Sequence, residues 1–173
     1  TLRVTNATIP LFTDGGLAIT DVMISGVTID GTAAGTQPLI RIYQGQRVTI
    51  QDCVFTTAGI NTVVLNGVID TVRVLRCQFH FIGGDYDNSA IYIHGARAWV
   101  DGCSFDGPGR AAIEVHGGDA LVTNNLASGY RIFANVADAA RVRVAHNSAQ
   151  TTAHGVLLWS AGGGLHSVAV EGN

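Results

Sequence analysis

The sequence predicts an all-β solenoid: one chain wound through short strands into about seven stacked coils of 20–26 residues, with three strands per coil. Three observations carry that expectation. One spacing of inward-type residues, apolar at offsets 0, 2, 5 and 7, recurs eight times along the chain. The residue before the third member of each set is, in seven sets of eight, a type that tolerates a tight left-handed bend. A further apolar alternation precedes most of the sets.

In chain order the sets are Leu2, Val4, Ala7, Ile9; Val22, Ile24, Val27, Ile29; Val48, Ile50, Cys53, Phe55; and Val72, Val74, Cys77, Phe79. They continue with Ala98, Val100, Cys103, Phe105; Ala120, Val122, Asn125, Ala127; Val142, Val144, Asn147, Ala149; and Val168, Val170, Asn173. The third members are 20, 26, 24, 26, 22, 22 and 26 residues apart. Apolar residues at offsets 0 and 2 describe a strand with one buried face. The shifted phase at 5 and 7 requires a corner of about two residues before the next strand.

That corner falls on Asn6, Gly26, Asp52, Arg76, Gly102, Asn124, His146 and Gly172. Gly, Asn, Asp and His suit positive φ, and Arg76 is the exception. Between the inward positions stand Arg3, Thr5, Ser25, Thr49, Gln51, Arg73, Asp101, Thr123, Arg143 and Glu171, which read as the wet side of the same strands. The third strand of each coil comes from alternations such as Ile40 and Ile42, Val63 and Leu65, Ile91 and Ile93, Ile113 and Val115, and Val156 and Leu158.

Three short strands per coil, glycines at the corners and almost no helix signal resemble the right-handed parallel β-helix of the pectin-lyase-like superfamily, over essentially the whole chain. The Asn125, Asn147 and Asn173 column is similar to the buried Asn ladders of that family. Such an amide bonds to neighbouring coils and satisfies groups that would otherwise cost a few kcal/mol each when buried. The Cys and Phe columns read as its apolar equivalent, stacked like on like at a strand spacing of about 4.8 Å. Three cysteines in one inward column read as buried hydrophobes, ahead of a disulfide framework or a zinc site.

Composition agrees with a single domain over residues 1–173. Hydrophobic content is 47% and charged content 13%, as a solenoid packed from within requires. No apolar run approaches the length of a membrane span, and no charged-then-apolar leader is visible. The net charge of −3 argues against a nucleic-acid partner. Lys is absent, so chemistry that needs a phosphate-loop lysine is excluded, and no Gly-rich nucleotide loop leads from a strand into a helix. All ten basic residues are Arg, on a Gly-, Ala- and Val-rich background that points to a high-GC bacterial or phage source. The chain starts inside one repeat and stops inside another, so the expectation is a fragment of a longer solenoid.

Chemistry is therefore sought on the outside. If Ile91, Ile93, Ile113 and Val115 point in, then Tyr92, His94, Glu114 and His116 point out, with His94 and His116 stacked one coil apart. The row extends to Tyr43 and Asn66 on one side and to Phe133, Asn135 and Trp159 on the other. Neighbouring loops add Asp85 and Asp87 from GGDYDNS, and Asp106 and Arg110 from FDGPGR. For Asp85 and Asp87 three readings stand: a solvated insertion, a Ca2+ site, or an acid/base pair.

In enzymes of the resembled superfamily this outer face and its flanking loops form a polysaccharide groove. The resemblance thus implies catalytic roles for Tyr92, His94, Glu114, His116 and Arg110. It implies substrate contacts for Tyr43, Asn66, Asp85, Asp87 and Trp159, with no cofactor beyond Ca2+. Aromatic faces pack on sugar rings, Arg pairs with uronate carboxylates, and His or Tyr moves protons. The Asn-Thr-Asp, Asp-Asp, Gly-His-Gly and Arg-Ile-Lys elements of polygalacturonases are missing, which disfavours that subfamily. The calcium-binding carboxylates and basic Arg or Lys of pectate lyases have a counterpart only in the loop residues Asp85 and Asp87 with Arg110. The Tyr, His and Arg set of alginate lyases and mannuronan epimerases is closer, without their Tyr-Gly and Asp-Pro-His motifs.

Three roles remain open. The first is an extracellular or virion-surface protein, such as a phage tailspike, that binds and cleaves an acidic polysaccharide as a lyase, epimerase or glycoside hydrolase. The second is a structural spike or adhesin rod, a homotrimer in tailspikes of this fold, with Val64, Trp99, Leu121 and Leu157 meeting neighbouring subunits. The third is a repeat segment with no function of its own.

Overall fold

A computed structural model describes residues 2–3, 10, 12–32, 37–58, 61–67, 69–82, 88–95, 97–162 and 164–173. Within them the alternating sets do what their phase requires, and every strand pair is parallel, each strand lying on the equivalent strand of the next coil. The result is a β-solenoid of about six turns. Val4, Asn6, Ala7 and Ile9 of the first set, and the loop carboxylates Asp85 and Asp87, lie outside the described residues. No helix among the described residues is long and apolar enough to cross a membrane.

An eight-stranded sheet runs down one side and includes Gly45–Gln51, Ile69–Leu75, Arg97–Asp101, Asp119–Thr123, Arg141–Ala145 and Ser167–Glu171. A twelve-stranded sheet forms the rest of the wall in two legs. One leg holds Val54–Ala58 and Gln78–Ile82; the other holds Ile40–Ile42, Val63–Asn66, Ser89–His94 and His154–Trp159. The legs fuse where Ser104–His116 and Leu126–Ala137 run continuously through both. The segment FDGPGR, read as a loop, is therefore strand.

The interior follows the predicted columns. Phe55, Phe79 and Phe105 stack with ring centroids 4.8 and 4.9 Å apart and interplanar angles of 16° and 11°. Those separations match the coil spacing, so one aromatic per coil fills the same slot without tilting. Val48, Val72, Ala98, Ala120 and Val142 form the parallel column beneath the eight-stranded sheet, all buried. Phe133, expected in the outward row, instead joins the core with Ala90 and Ala112. Ala90 and Ile91, Ala112 and Ile113, and Phe133 and Ala134 are consecutive buried residues, so the alternation slips by one there.

The column of third members holds the corner shut. Backbone N–H groups of Cys103, Asn125 and Asn147 donate to the Oδ1 atoms of Asn125, Asn147 and Asn173, at 2.9, 2.9 and 3.0 Å. The Nδ2 atoms of the same three Asn donate back to the carbonyls of Val100, Val122 and Val144, at 3.1, 3.0 and 2.9 Å. The cysteines are free and buried in the core, as the sequence suggested, and they also hydrogen-bond. Cys53, Cys77 and Cys103 Sγ donate to Ile24, Ile50 and Val74 carbonyls at 3.6, 3.7 and 3.5 Å, and Cys77 N–H donates to Cys103 Sγ at 3.4 Å. Thiol and amide play the same part because each carries a donor and an acceptor on a short side chain. Burial pushes the Cys53 thiol pKa up, which keeps it in the donating S–H form.

All seven described corner residues adopt positive φ, from 51° at Arg76 to 66° at Gly26. Arg76 does so against its type. A left-handed non-Gly residue costs ~1–2 kcal/mol, and the bidentate pair from Arg76 to Asp52 at 2.8 and 2.9 Å is solvent-exposed and screened, so it does not offset that cost. The bend is therefore imposed by pairing with the coils on either side.

Replacing a ladder amide tests this reading. Asn125→Ala strands the buried N–H of Cys103 and the carbonyl of Val100, and a destabilisation of about 2–4 kcal/mol is expected. The measurement is urea unfolding followed by far-UV circular dichroism. A change below about 0.5 kcal/mol, the level of a surface substitution, would show that the ladder does not hold the corner.

Candidate functional site

Two outward rows run along the leg that contains Ser89–His94. Register places Arg41, Val64, Tyr92, Glu114, Asn135 and Leu157 side by side in the first. Asn66, His94, His116, Ala137 and Trp159 form the second, and Tyr43 continues it one residue beyond the pair Ile42 and Leu65. The expected juxtaposition of Tyr92, His94, Glu114 and His116 is thus present, and so is that of Tyr43, Asn66 and Trp159 with the His pair.

The rings form a connected strip. His116 lies 5.3 Å from Tyr92, 6.1 Å from His94 and 5.7 Å from Trp159, centroid to centroid. The last contact spans two coils. It exists because the intervening residue is Ala137, small enough for the indole to lean across. The Trp159 Nε1–H donates to Asn135 Oδ1 at 2.9 Å, which fixes the indole's direction. Tyr43 and Trp159, at the two ends of the second row, are 43% and 41% exposed. The Arg41 guanidinium sits 5.4 Å from the Tyr43 ring centre.

Glu114 differs from expectation. It is on the outer side of the sheet but only 3% exposed, roofed by the long side chains around it. Its Oε2 accepts from Ser89 Oγ at 2.5 Å and from Arg110 Nη2, and its Oε1 accepts from His116 Nε2 at 2.8 Å and Asn135 Nδ2 at 3.2 Å. Burial pushes the carboxyl pKa up, but the hydrogen bonds from Ser89, Arg110 and His116 outweigh it and hold the group below its ordinary 4.5. With all its near acceptor positions taken, Glu114 organises the site from beneath and does not present a free carboxylate to a ligand. Burial, then the Glu114 charge, pushes the Tyr92 phenol up.

This buried anion orients its neighbours. An ionised carboxylate only accepts, so the Nε2 of His116 that faces Glu114 is the protonated nitrogen. His94 Nδ1 lies 3.0 Å from Asn66 Oδ1, a pairing that leaves Nε2 outward. Arg110 Nε is buried without a hydrogen-bond partner among the described residues, a donor still to be used. Asp106 does not join the site, since its carboxylate is 2.9 Å from His80 Nδ1 on the other leg. Ser89 and Ala137 were not singled out from sequence; the pairing of Ser89 with Ala111 and of His116 with Ala137 was the signal that could have found them.

The outward apolar residues do not make one surface. Val64 and Leu157 lie on this leg, whereas Trp99 and Leu121 lie on the eight-stranded sheet. Among the described residues no three His, Cys, Asp or Glu side chains are grouped to hold a metal ion.

Parallel coils closed by an internal hydrogen-bonded column define a β-solenoid. Over residues 9–173 the chain matches the family model described as right handed beta helix region, and it belongs to that family. No curated protein and no solved structure matches the chain.

The depressed Glu114 pKa has a sign that can be checked. Its stabilising contribution is present above pH 4.5 and is lost as pH falls through the lower folded-state value. Glu114→Gln leaves Arg110 without its charge partner, and a loss of about 2–3 kcal/mol is expected, below the 3–5 kcal/mol of a fully buried pair because Arg110 is partly exposed. Urea midpoints across the acid range should fall less steeply in Glu114→Gln than in the parent, and an identical slope would contradict an ionised Glu114.

Proposed function

We propose that the chain is a carbohydrate-binding β-helix of the pectin-lyase-like kind, holding an acidic polysaccharide along the Tyr43, His94, His116 and Trp159 row. The observation that carries this reading is the connected ring strip, Tyr92 and His94 to His116 to Trp159, laid over an anion that is already neutralised from within. Rings at one-coil and two-coil separations along the row, His94 to His116 and His116 to Trp159, offer a sugar chain a series of ring faces and edges. The ring nitrogens of the two His and the Arg41 guanidinium supply the partners that uronate carboxylates need. Glu114 keeps Arg110 and His116 in place without itself repelling the ligand.

The same groups suit a β-elimination, in which His116 or Tyr92 takes the C5 proton, the C4–O bond breaks as the C4–C5 double bond forms, the leaving oxygen takes up a proton, and Arg110 lies near the carboxylate. A role outside the cell or on a virion surface, as in a tailspike, follows from such a ligand, and a trimer is the assembly that the superfamily resemblance implies. Any Ca2+ requirement would rest on Asp85 and Asp87.

Calorimetric titration with polygalacturonate and alginate, with and without EDTA, tests the reading, and unsaturated sugar ends in the same tubes report lysis. Binding is expected to weaken about tenfold in His116→Ala, which removes the centre of the strip, and to change less than about twofold in Tyr92→Phe, which keeps the ring. A folded protein that binds neither polymer, or a His116→Ala variant that binds as the parent does, would overturn it.

A further inference from the structure

The eight-stranded sheet carries a second surface, remote from the Tyr–His strip. Register sets Arg73, Trp99, Leu121 and Arg143 in one outward row, each on the next coil. With Arg97 and Arg141 in the adjacent row they line an open groove of about 470 Å³.

The charges along this groove are unevenly balanced. Arg97 is paired with Asp70 and Arg141 with Asp119, both at 2.5 Å. Arg73 has no carboxylate partner among the described residues, and its guanidinium carbon sits 5.9 Å from the Trp99 ring centre. Arg143 meets Glu171 at 2.9 Å, but the two side chains are 54% and 53% exposed. Such an exposed, solvent-screened pair exchanges readily for a ligand's anion. The row therefore presents a cation, an aromatic face, an apolar residue and a second cation over three coil steps, roughly 14 Å at about 4.8 Å per step. Trp99 is 38% exposed, so its indole is open to contact.

We propose that this groove is a second glycan site, taking an extended acidic polysaccharide that lies along the solenoid axis. Carboxylates of the ligand meet Arg73 and Arg143, and a sugar ring between them packs on Trp99 and Leu121. A peptide strand is disfavoured, because these strands are interior to the sheet and offer no free edge to extend. A nucleic acid is disfavoured too. Asp70, Asp119 and Glu171 are interleaved with the arginines and the net charge is −3, which suits spaced anions and repels a dense phosphate backbone.

The chain has two tryptophans, one on each surface, so the two proposals are read separately. Trp159→Phe leaves Trp99 as the sole indole, and Trp99→Phe leaves Trp159. With Trp159→Phe, polygalacturonate is expected to shift the emission and shield it from acrylamide, while its methyl ester does neither. Adding Arg73→Ala should weaken that response about tenfold. Silence of Trp99 at saturating polymer overturns the second site, whatever Trp159 reports in the other variant. A response that survives both esterification and Arg73→Ala overturns its anionic character. Shielding of Trp99 without polymer, with a mass that rises with concentration, would show that a second copy of the chain covers the groove and would overturn the proposal as well.

Discussion

The structure depends on one repeated hydrogen-bond exchange at the inner corner of each coil. An Asn there accepts a backbone N–H from the preceding coil and donates to a carbonyl of that preceding coil; in the earlier turns the Cys thiols make the carbonyl bond, and Cys103 also accepts the Cys77 N–H. A tight bend inside a dry core would otherwise leave polar backbone groups unpaired, at about 1–3 kcal/mol each. Because each exchange links neighbouring coils at one fixed position, it also sets their register. A slip of a single residue would turn the inward columns outward.

Register is what builds the outer surface. His94 lies over His116, and Tyr92 beside Glu114, because Ile91 and Ile93 are paired with Ile113 and Val115. The same pairing on the eight-stranded sheet aligns Arg73, Trp99, Leu121 and Arg143. Neither surface needs a specialised loop. Each is a by-product of an interior whose repeat is strict, with chemistry written on the residues that the interior leaves free. Small residues matter as much as reactive ones, since Ala137 lets Trp159 reach His116 across an intervening coil.

The architecture was legible because its signal is periodic. The Val, Ile, Phe and Asn columns, the corner positions and the outward placement of Tyr92, His94 and His116 all follow from offsets alone. What offsets could not show is tertiary in origin. Glu114 sits at an outward position, yet Arg110, Ser89, His116 and Asn135 close over it, and lateral cover is invisible to alternation. Phe133 lies inward because the two consecutive residues Phe133 and Ala134 are both buried, a break in alternation that offsets do not show. Arg76 accepts a conformation its type disfavours because neighbouring coils dictate it, and the cysteines, apolar by composition, act by hydrogen bonding.

Backbone amide hydrogen exchange at Cys103, Asn125 and Asn147 probes the corner exchange most directly. These three N–H groups are expected to be among the slowest in the chain, opening only with global unfolding and tracking its free energy as denaturant is raised. Exchange as fast as that of exposed loop amides, with the remaining strands still protected, would mean that the inner column does not bind coil to coil. The register on which both proposed surfaces rest would then lose its cause.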